Sequence, residues 1–186
     1  KEFNIQSNIS LPIQEDLARR DFTINAMAIN VRTGDLIDPF GGEQDLHARV
    51  IRSVGDPQIR FDEDLSRVLR AIRFAAELSC SIETKTQQAI KDNITRLNAF
   101  RNTNLKTEYV VPREIIGQEL AKALYRNPAC AIDWFQKTGI TDLFFTHASH
   151  QWTQQELDQF PSAQPTLAIA LLLHDKQLQA VSPILS

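Results

Sequence analysis

Apolar residues follow two different rhythms along the chain. Up to about residue 58 they occur in short runs that alternate with polar positions and are separated by breaks containing glycine or proline. From residue 59 onward they recur every three or four positions. Alternation is typical of short strands, and the longer period is typical of amphipathic helices. The pattern therefore predicts a small mixed α/β part followed by an all-helical part.

The first part predicts five short elements. They are a helix that begins near Glu15, a hairpin of strands over 24–31 and 36–38, a helix over 43–48 and a strand over 50–54. The hairpin is indicated by Gly34, which lies in a polar stretch between two apolar runs. Gly41 and Gly42 precede the second helix, where glycine permits a positive φ or a close backbone approach. A strand-to-helix turn is the commoner meaning of such a pair.

The apolar pattern in the second part predicts five helices and one loop. On the first helix, which begins near Phe61, a single apolar stripe is formed by Leu65, Leu69, Ile72 and Ala76. The remaining segments are helices over 82–97, 112–125, 128–137 and 165–173 and a loop over 101–107. Ser81 or Thr84 is the candidate N-cap of the second helix. Gly139 is a natural C-terminal stop for the fourth.

Composition matters mainly for what it excludes. The chain has 186 residues, 42% of them hydrophobic, and a formal net charge of −3. This balance is unlike that of a strongly basic nucleic-acid-binding domain, so phosphate binding requires a local basic patch. Cys80 and Cys130 match no metal or redox spacing and are expected to be small buried residues in a reducing cytosol. No apolar run approaches the ~20 residues of a membrane span, so we expect no membrane partner and a cytoplasmic protein.

The first candidate for chemistry is the motif Arg19-Arg20-Asp21, which lies in an otherwise core-like segment. Adjacent charges in such a segment are costly unless each has a partner. The donor fork of arginine suits phosphate, and a neighbouring carboxylate can orient the fork or accept from a ribose hydroxyl. The alternative is a surface Arg–Asp pair at a helix end, which contributes little.

The second candidate follows Glu63 on the predicted helix. Asp64, Arg67, Arg70 and Arg73 recur at intervals of three along one band, with Phe74 among them. Three like charges with one acid on their row are favourable if an anion such as a nucleoside triphosphate lies beside them. Asp64 and Arg67 could also recognise the amino group and ring acceptors shared by cytosine and adenine. The alternative is a solvated helix face with a salt bridge between residues three apart.

Three stretches of the chain together resemble class II tRNA nucleotidyltransferases and bacterial poly(A) polymerases. In chain order they are "DLARRDFTINAMA", "GDLIDPFGGEQDL" and "VIRSVGDPQIRFDEDLSRVLRAIRFAAEL". The resemblance covers residues 14–80 and continues more weakly to about residue 146. It implies an α+β protein with a polymerase-β-like head of short antiparallel strands and an all-helical neck and body. The expected boundaries place the C-terminal part of the head at 1–58, the neck at 59–145 and the start of the body at 146–186.

The resemblance also implies roles for individual residues. Arg20 corresponds to an arginine that holds the nucleotide, and Asp21 to a carboxylate that senses the ribose; Asn25, from the same motif, is included as nucleotide-binding. Asp64 and Arg67 correspond to the amino-acid template that selects the base. The later arginines of that helix, expected near the nucleotide or its phosphates, are Arg70 and Arg73.

Three features depart from the family pattern. Leu65-Ser66 stands where Pro-Leu is usual, and Glu114-Ile115-Ile116 stands where Glu-Arg-Ile is usual. The paired aspartates that bind Mg²⁺ in the family are expected upstream of Arg19 and have no counterpart here.

Both ends of the chain resemble cuts in a longer polypeptide, and the chain alone is expected to be inactive. His174-Asp175 invites comparison with phosphohydrolase metal sites, but further ligands at suitable spacing are missing.

The resemblance implies template-independent addition of CMP and AMP from CTP and ATP to tRNA or other RNA 3′ ends. A poly(A) polymerase, or an enzyme restricted to CC or A addition, is the nearest alternative. A non-catalytic RNA-binding fragment is an alternative from another class, and a metal-dependent phosphohydrolase is a weaker one.

Overall fold

The computed structural model describes residues 12–102, 107–145, 152–158, 160, 163–165 and 168–169. The first part of the chain contains α1 (Ile13–Ala18), β1 (Ala28–Ile29), β2 (Leu36–Ile37), α2 (Gly42–Ala48) and β3 (Val50–Ile51). The second part begins with α3 (Pro57–Glu63), α4 (Arg67–Leu78), β4 (Ser81–Ile82) and α5 (Thr84–Asn93). It continues with β5 (Phe100–Asn102), β6 (Thr107–Tyr109), α6 (Arg113–Arg126), α7 (Pro128–Thr138), α8 (Ile140–Phe144) and α9 (Gln154–Leu157). Within these residues, no helix is both long and apolar enough to cross a membrane.

The predicted hairpin is confirmed, but its first strand is shorter than expected. Ala28 and Ile29 pair antiparallel with Ile37 and Leu36. The beginning of the predicted strand over 24–31 is instead a 3₁₀ turn over Thr23–Asn25. The Asp21 carboxylate accepts from the backbone N–H of Phe22 and from the Asn25 amide. Such local polar contacts compete with strand pairing, which explains the turn.

The two glycines at the start of α2, Gly41 just before it and Gly42 as its first residue, have different functions. Gly41 has a φ of +72°, and a Cβ on Gly42 would lie 2.2 Å from the Thr23 carbonyl oxygen. The Asp38 carboxylate accepts from the backbone N–H groups of Gly42 and Glu43 at 2.8 and 2.9 Å. Desolvation opposes ionisation of Asp38, yet the backbone hydrogen bonds, that of Glu43 foremost, lower its pKa. The glycine pair thus allows α2 to begin tightly against the 3₁₀ turn.

The α+β class is confirmed, whereas the expectation that the second part is all-helical is wrong. β4 pairs in parallel with β3, through Val50 with Ser81 and Ile51 with Ile82. β5 and β6 form an antiparallel hairpin where a loop over 101–107 was predicted. Its strands are joined by a contact between the rings of Phe100 and Tyr109, with centroids 4.3 Å apart, and by an Arg101–Glu108 ion pair. Cross-strand pairs of this kind stabilise short hairpins.

The helix predicted from Phe61 is broken at Asp64, which has φ −149° and ψ 102°. The Asp64 carboxylate accepts from the backbone N–H and hydroxyl of Ser66, which immediately precedes α4. Neither Ser81 nor Thr84 caps α5, because Ser81 belongs to β4 and the Glu83 carboxylate accepts from the Thr86 N–H. The predicted helices over 112–125 and 128–137 are confirmed, and Gly139 ends α7 with a φ of +85°. Of the predicted helix over 165–173, the described residues 165, 168 and 169 are helical, and the others are outside the description.

One hydrophobic core joins the two parts. The predicted stripe on α4 is buried, with Leu69 2% and Ile72 1% exposed. Phe22 and Ile51 from the first part belong to the same cluster as this helix, which also packs against α6 and α7. The domain boundaries at residues 58 and 145 stay predictions. Cys80 is buried and Cys130 partly so, both are free thiols, and burial raises the pKa of each.

Candidate nucleotide-binding groove

A groove of about 820 Å³ lies between α4, α6 and the segment that contains the Arg19-Arg20-Asp21 motif. We call it the α4–α6 groove. Five basic and three acidic side chains line it, so its local charge differs in sign from that of the whole chain. Its lining residues are Arg19, Arg20, Asp21, Asn25, Asp64, Ser66, Arg67, Arg70, Phe74, Ile115, Gln118, Glu119 and Lys122.

Asp21 connects the first part of the chain to α4. Its Oδ2 accepts from Arg70 Nε at 2.7 Å and from Arg70 Nη2 at 2.6 Å. Its Oδ1 accepts from the Phe22 N–H at 3.0 Å and from the Asn25 amide at 3.4 Å. A carboxylate offers about four acceptor positions, and all of them are engaged. The structure thus brings together Asp21, Asn25 and Arg70, three residues that the sequence analysis names as nucleotide-binding.

Arg67 is held by three acceptors. Its Nη1 donates to Glu63 Oε2 at 2.9 Å and to the Arg60 carbonyl oxygen at 3.2 Å, and its Nη2 donates to the Arg19 carbonyl oxygen at 3.1 Å. The predicted alternative, a salt bridge with Asp64, is not the contact that forms. Asp64 and Arg67 both line the groove. The hydrogen bond from Arg67 to the Arg19 carbonyl oxygen connects the Arg19-Arg20 pair of the first part directly to α4.

Arg73 does not line the α4–α6 groove and instead lies between α4 and α6. Its Nε donates to Glu119 Oε2 at 2.7 Å, its Nη1 donates to Glu77 Oε2 at 2.9 Å, and its guanidinium lies 4.0 Å over the ring of Phe74. Its side chain is 12% exposed and is not among the residues that line the groove. Arg73 therefore joins α4 to α6, and its predicted contact with nucleotide or phosphate stays untested.

These contacts overturn one premise of the sequence argument, namely that the three arginines share a single acid. Each has its own carboxylate partner: Glu63 for Arg67, Asp21 for Arg70 and Glu119 with Glu77 for Arg73. Asp21 and Glu119 come from other elements, so a projection of one helix cannot show them. Phe74 is also explained, because its ring meets the edge of Phe22, with centroids 5.8 Å apart.

Arg19 and Arg20 form the exposed rim of the groove. Arg20 donates to Asp16 at 2.8 Å, and both side chains are 53% exposed, so the surface Arg–Asp pair considered as an alternative does occur. Such pairs contribute little to stability and are readily exchanged for another anion. Arg19 is exposed, and among the described residues its guanidinium has no ion-pair partner. The rim therefore offers cationic groups that are not firmly bound.

Sequence reasoning missed the α6 side of the groove, which consists of Ile115, Gln118, Glu119 and Lys122. Their spacing of three, four and seven is that of one helical face. The face carries an apolar, an amide, an acidic and a basic residue, so it gave no compositional signal. Burial opposes ionisation of Glu119, but hydrogen bonds from Lys122 and Arg73 bring its pKa below the ordinary value.

A metal site is not found on this part of the protein. Among the described residues, no three histidine, cysteine or acidic side chains come close enough together to hold a metal ion. These residues do not fit Mg²⁺. His174-Asp175 lies outside the described residues.

Known proteins resemble this chain in both sequence and structure. The family model for the poly(A) polymerase head domain matches residues 2–52. A CCA-adding enzyme from Lactobacillus helveticus (strain DPC 4571) is 47% identical over 98 residues, which are 53% of this chain and 24% of that protein. The chain thus spans about a quarter of the length of this relative.

Two solved structures share the fold. The Bacillus stearothermophilus CCA-adding enzyme in complex with CTP has a TM-score of 0.62 at 29% identity, over 94% of this chain and 46% of that one. The Thermotoga maritima CCA-adding enzyme complexed with tRNA has a TM-score of 0.64 at 29% identity, over 92% and 44%. In its sequence motifs, in its head-domain match over residues 2–52 and in its fold, the chain is similar to CCA-adding enzymes and to the poly(A) polymerase head domain.

Proposed function

We propose that this chain is the nucleotide-selecting part of an RNA nucleotidyltransferase that adds CMP and AMP to tRNA 3′ ends without a nucleic-acid template. The observation that carries the proposal is the hydrogen bond from Arg67 Nη2 to the Arg19 carbonyl oxygen, at 3.1 Å. It joins the motif expected to hold the nucleotide to the motif expected to read the base, in one groove. Solved structures that share the fold include CCA-adding enzymes in complex with CTP and with tRNA, which supports the same substrates here.

In this proposal Asp64 and Arg67 select the base. Glu63 and two backbone carbonyl oxygens orient the Arg67 guanidinium before any ligand arrives. Its remaining N–H groups can donate to the ring acceptors of cytosine or adenine, while Asp64 accepts from their amino group. Uracil lacks that amino group, and guanine presents a different edge. Because a rigid donor loses little entropy on binding, a preoriented guanidinium favours selectivity.

The triphosphate is proposed to lie nearer Arg70 and the rim arginines. Arginine donates paired hydrogen bonds to phosphate oxygens. Arg20 can give up its exposed ion pair with Asp16 and bind a phosphate instead. Asp21 is proposed to keep Arg70 in place and to accept from a ribose hydroxyl. Since its four acceptor positions are engaged, a ribose would replace the weakest contact, that from Asn25 at 3.4 Å.

The phosphoryl transfer itself is proposed to take place in the full-length protein. The Mg²⁺ that the resemblance implies would be held by carboxylates other than those described here, and it would supply charge neutralisation. The contribution of this chain is to bind and orient the nucleotide. A cytoplasmic location is part of the same proposal.

A poly(A) polymerase is the second candidate, and the match of residues 2–52 to the poly(A) polymerase head domain favours it. Product length separates the two functions. The full-length protein is incubated with Mg²⁺, each nucleoside triphosphate in turn and all four together, and a tRNA that lacks its three terminal nucleotides.

We expect CTP alone to add two nucleotides, the four nucleotides together to add three and then stop, and UTP or GTP alone to add none. A long tail made from ATP alone would favour the polymerase. If the protein incorporates neither CMP nor AMP, nucleotidyl transfer to tRNA is refuted altogether.

A further inference from the structure

The two walls of the α4–α6 groove differ in how their polar groups are used. One wall, from the first part of the chain and α4, contains the arginines. On it, Arg67 already has three acceptors and Arg70 donates twice to Asp21. The other wall is the face of α6 formed by Ile115, Gln118, Glu119 and Lys122, which we call the α6 wall.

The α6 wall presents groups that are not committed. The Lys122 side chain is 53% exposed and donates to Glu119 Oε1 at 3.0 Å, which leaves two of the three donors of its ammonium unused. Gln118 is exposed, and its amide has no hydrogen-bond partner among the described residues. Ile115 is 37% exposed and faces the groove. A positive charge, an amide and an apolar side chain thus lie side by side along a single helix face.

The charge of this wall suits a phosphodiester rather than a triphosphate. A triphosphate carries several negative charges and is matched by the arginines of the opposite wall. The α6 wall offers one ammonium, that of Lys122, beside the paired Glu119 carboxylate. A backbone phosphodiester of RNA carries a single charge, which one lysine can neutralise. The Gln118 amide can bond to a ribose hydroxyl or a base edge, and Ile115 can pack against a sugar or base face.

We propose that the α6 wall binds the 3′-terminal nucleotide of the RNA acceptor, with Lys122 at its phosphodiester, Gln118 at its ribose or base and Ile115 against its apolar face. This inference rests on the proposed function, because it assigns the second substrate of that reaction to the second wall of the same groove. The acceptor end then lies across the groove from Arg67 and Arg70, beside the incoming nucleotide.

The test separates binding of RNA from binding of nucleotide in the full-length protein. Lys122→Ala and Gln118→Ala are compared with the unmodified protein in two measurements. One is the Kd for CTP and for ATP without RNA; the other is the KM for a tRNA that lacks only its terminal adenosine, at saturating ATP. Lys137→Ala is the matched control, since Lys137 is also 53% exposed and paired with an acid one turn away, Asp133, but lies on α7.

We expect Lys122→Ala to raise the KM for tRNA about tenfold, the loss of one charge-assisted contact, while both nucleotide Kd values stay within about twofold. The slope of log KM against log salt should fall by about 0.7, as for one phosphate contact to a single strand. Lys122→Arg should largely restore the KM, and Gln118→Ala should raise it about three- to fivefold. Lys137→Ala should leave every value unchanged.

Two results would overturn the inference. If Lys122→Ala weakens CTP and ATP binding as much as it raises the KM for tRNA, the wall belongs to the nucleotide. If neither Lys122→Ala nor Gln118→Ala differs from Lys137→Ala, the wall contacts no substrate. Gln118→Ala guards against a folding artefact, because this exposed side chain has no described partner to lose. An unmodified protein that incorporates no nucleotide would refute the proposed function, and an active one with an unchanged KM would refute this inference alone.

Discussion

The two ends of the arginine row on α4 have the same residue type and spacing but different surroundings. Arg67 and Arg70 line the groove beside the first part of the chain, whereas the Arg73 side chain is 12% exposed and lies between α4, α6 and the Phe74 ring. Each arginine has an acid partner, but Arg67 and Arg70 line the groove and Arg73 does not. The comparison teaches that the neighbouring elements decide whether an arginine of a basic row lines a groove or joins two helices.

The largest effect should come from the structural end of the row. Arg73→Ala leaves the buried Glu119 carboxylate with only Lys122 as a partner, and breaking a buried ion pair costs about 3–5 kcal/mol. We expect a loss of about 3 kcal/mol in the free energy of unfolding, measured by urea denaturation of the full-length protein. In Glu119→Gln protein, the further loss on removing Arg73 should be smaller. A stable Arg73→Ala protein with weakened nucleotide binding would show that Arg73 belongs to the binding end.

Arg70→Ala should act on nucleotide binding first. We expect the Kd for CTP and ATP to rise together by about ten- to a hundredfold, as for a lost charge-assisted contact of about 1.5–3 kcal/mol. Isothermal titration without RNA measures this directly. Asp21→Asn, which removes the partner of Arg70 and keeps its shape, should give part of the same loss. Unchanged binding in both variants would mean that the ion pair is purely structural.

Arg67→Ala should change selectivity more than affinity. The ratio of Kd values for UTP and CTP should fall by about tenfold, the order of a bidentate base contact worth about 1–3 kcal/mol. Arg67→Lys should not restore it, because a lysine lacks the planar fork. If selectivity is unaffected by Arg67→Ala, the base-reading role is wrong.

Arg20→Ala should weaken CTP, ATP, UTP and GTP alike, by about three- to fivefold, because it removes a phosphate contact that does not depend on the base. Stability should change by less than about 0.5 kcal/mol, since the exposed pair with Asp16 contributes little. Parallel titrations with the four nucleotides check this. A selective effect on one base would contradict the division of roles between Arg20 and Arg67.

The smallest effect is a pH dependence of stability. The folded pKa of Glu119 is below its ordinary value, so its ionised form stabilises the protein above that ordinary pKa of about 4.3. This stabilisation is lost as the pH falls through the lower, folded pKa. Urea denaturation at several pH values should therefore show a smaller decline below about pH 4.3 for Glu119→Gln than for the unmodified protein. Identical declines would mean that Glu119 does not set this dependence.

The sequence predicted the features that one element or one short motif determines. The stripe of Leu65, Leu69, Ile72 and Ala76 is buried as predicted, because periodicity alone decides which face of a helix meets the core. Arg20, Asp21, Asn25, Asp64, Arg67 and Arg70 line one groove, and their nucleotide-binding role stays a prediction.

The remaining features depend on contacts between distant parts of the chain. Arg70 meets Asp21, 49 positions away, and Arg73 meets Glu119, 46 positions away. The helix break at Asp64 depends on a local side-chain contact with Ser66 that competes with an otherwise continuous apolar stripe. The α6 wall was missed because its mixed residue types become a surface only when α6 packs beside α4.

The central claim is that this groove distinguishes cytosine and adenine from uracil and guanine before any chemistry occurs. The most direct measurement is the Kd of the full-length, unmodified protein for CTP, ATP, UTP and GTP, without RNA. We predict that CTP and ATP bind at least about tenfold more tightly than UTP and GTP, the order of one well-formed base contact. Equal affinities for all four nucleotides would contradict it.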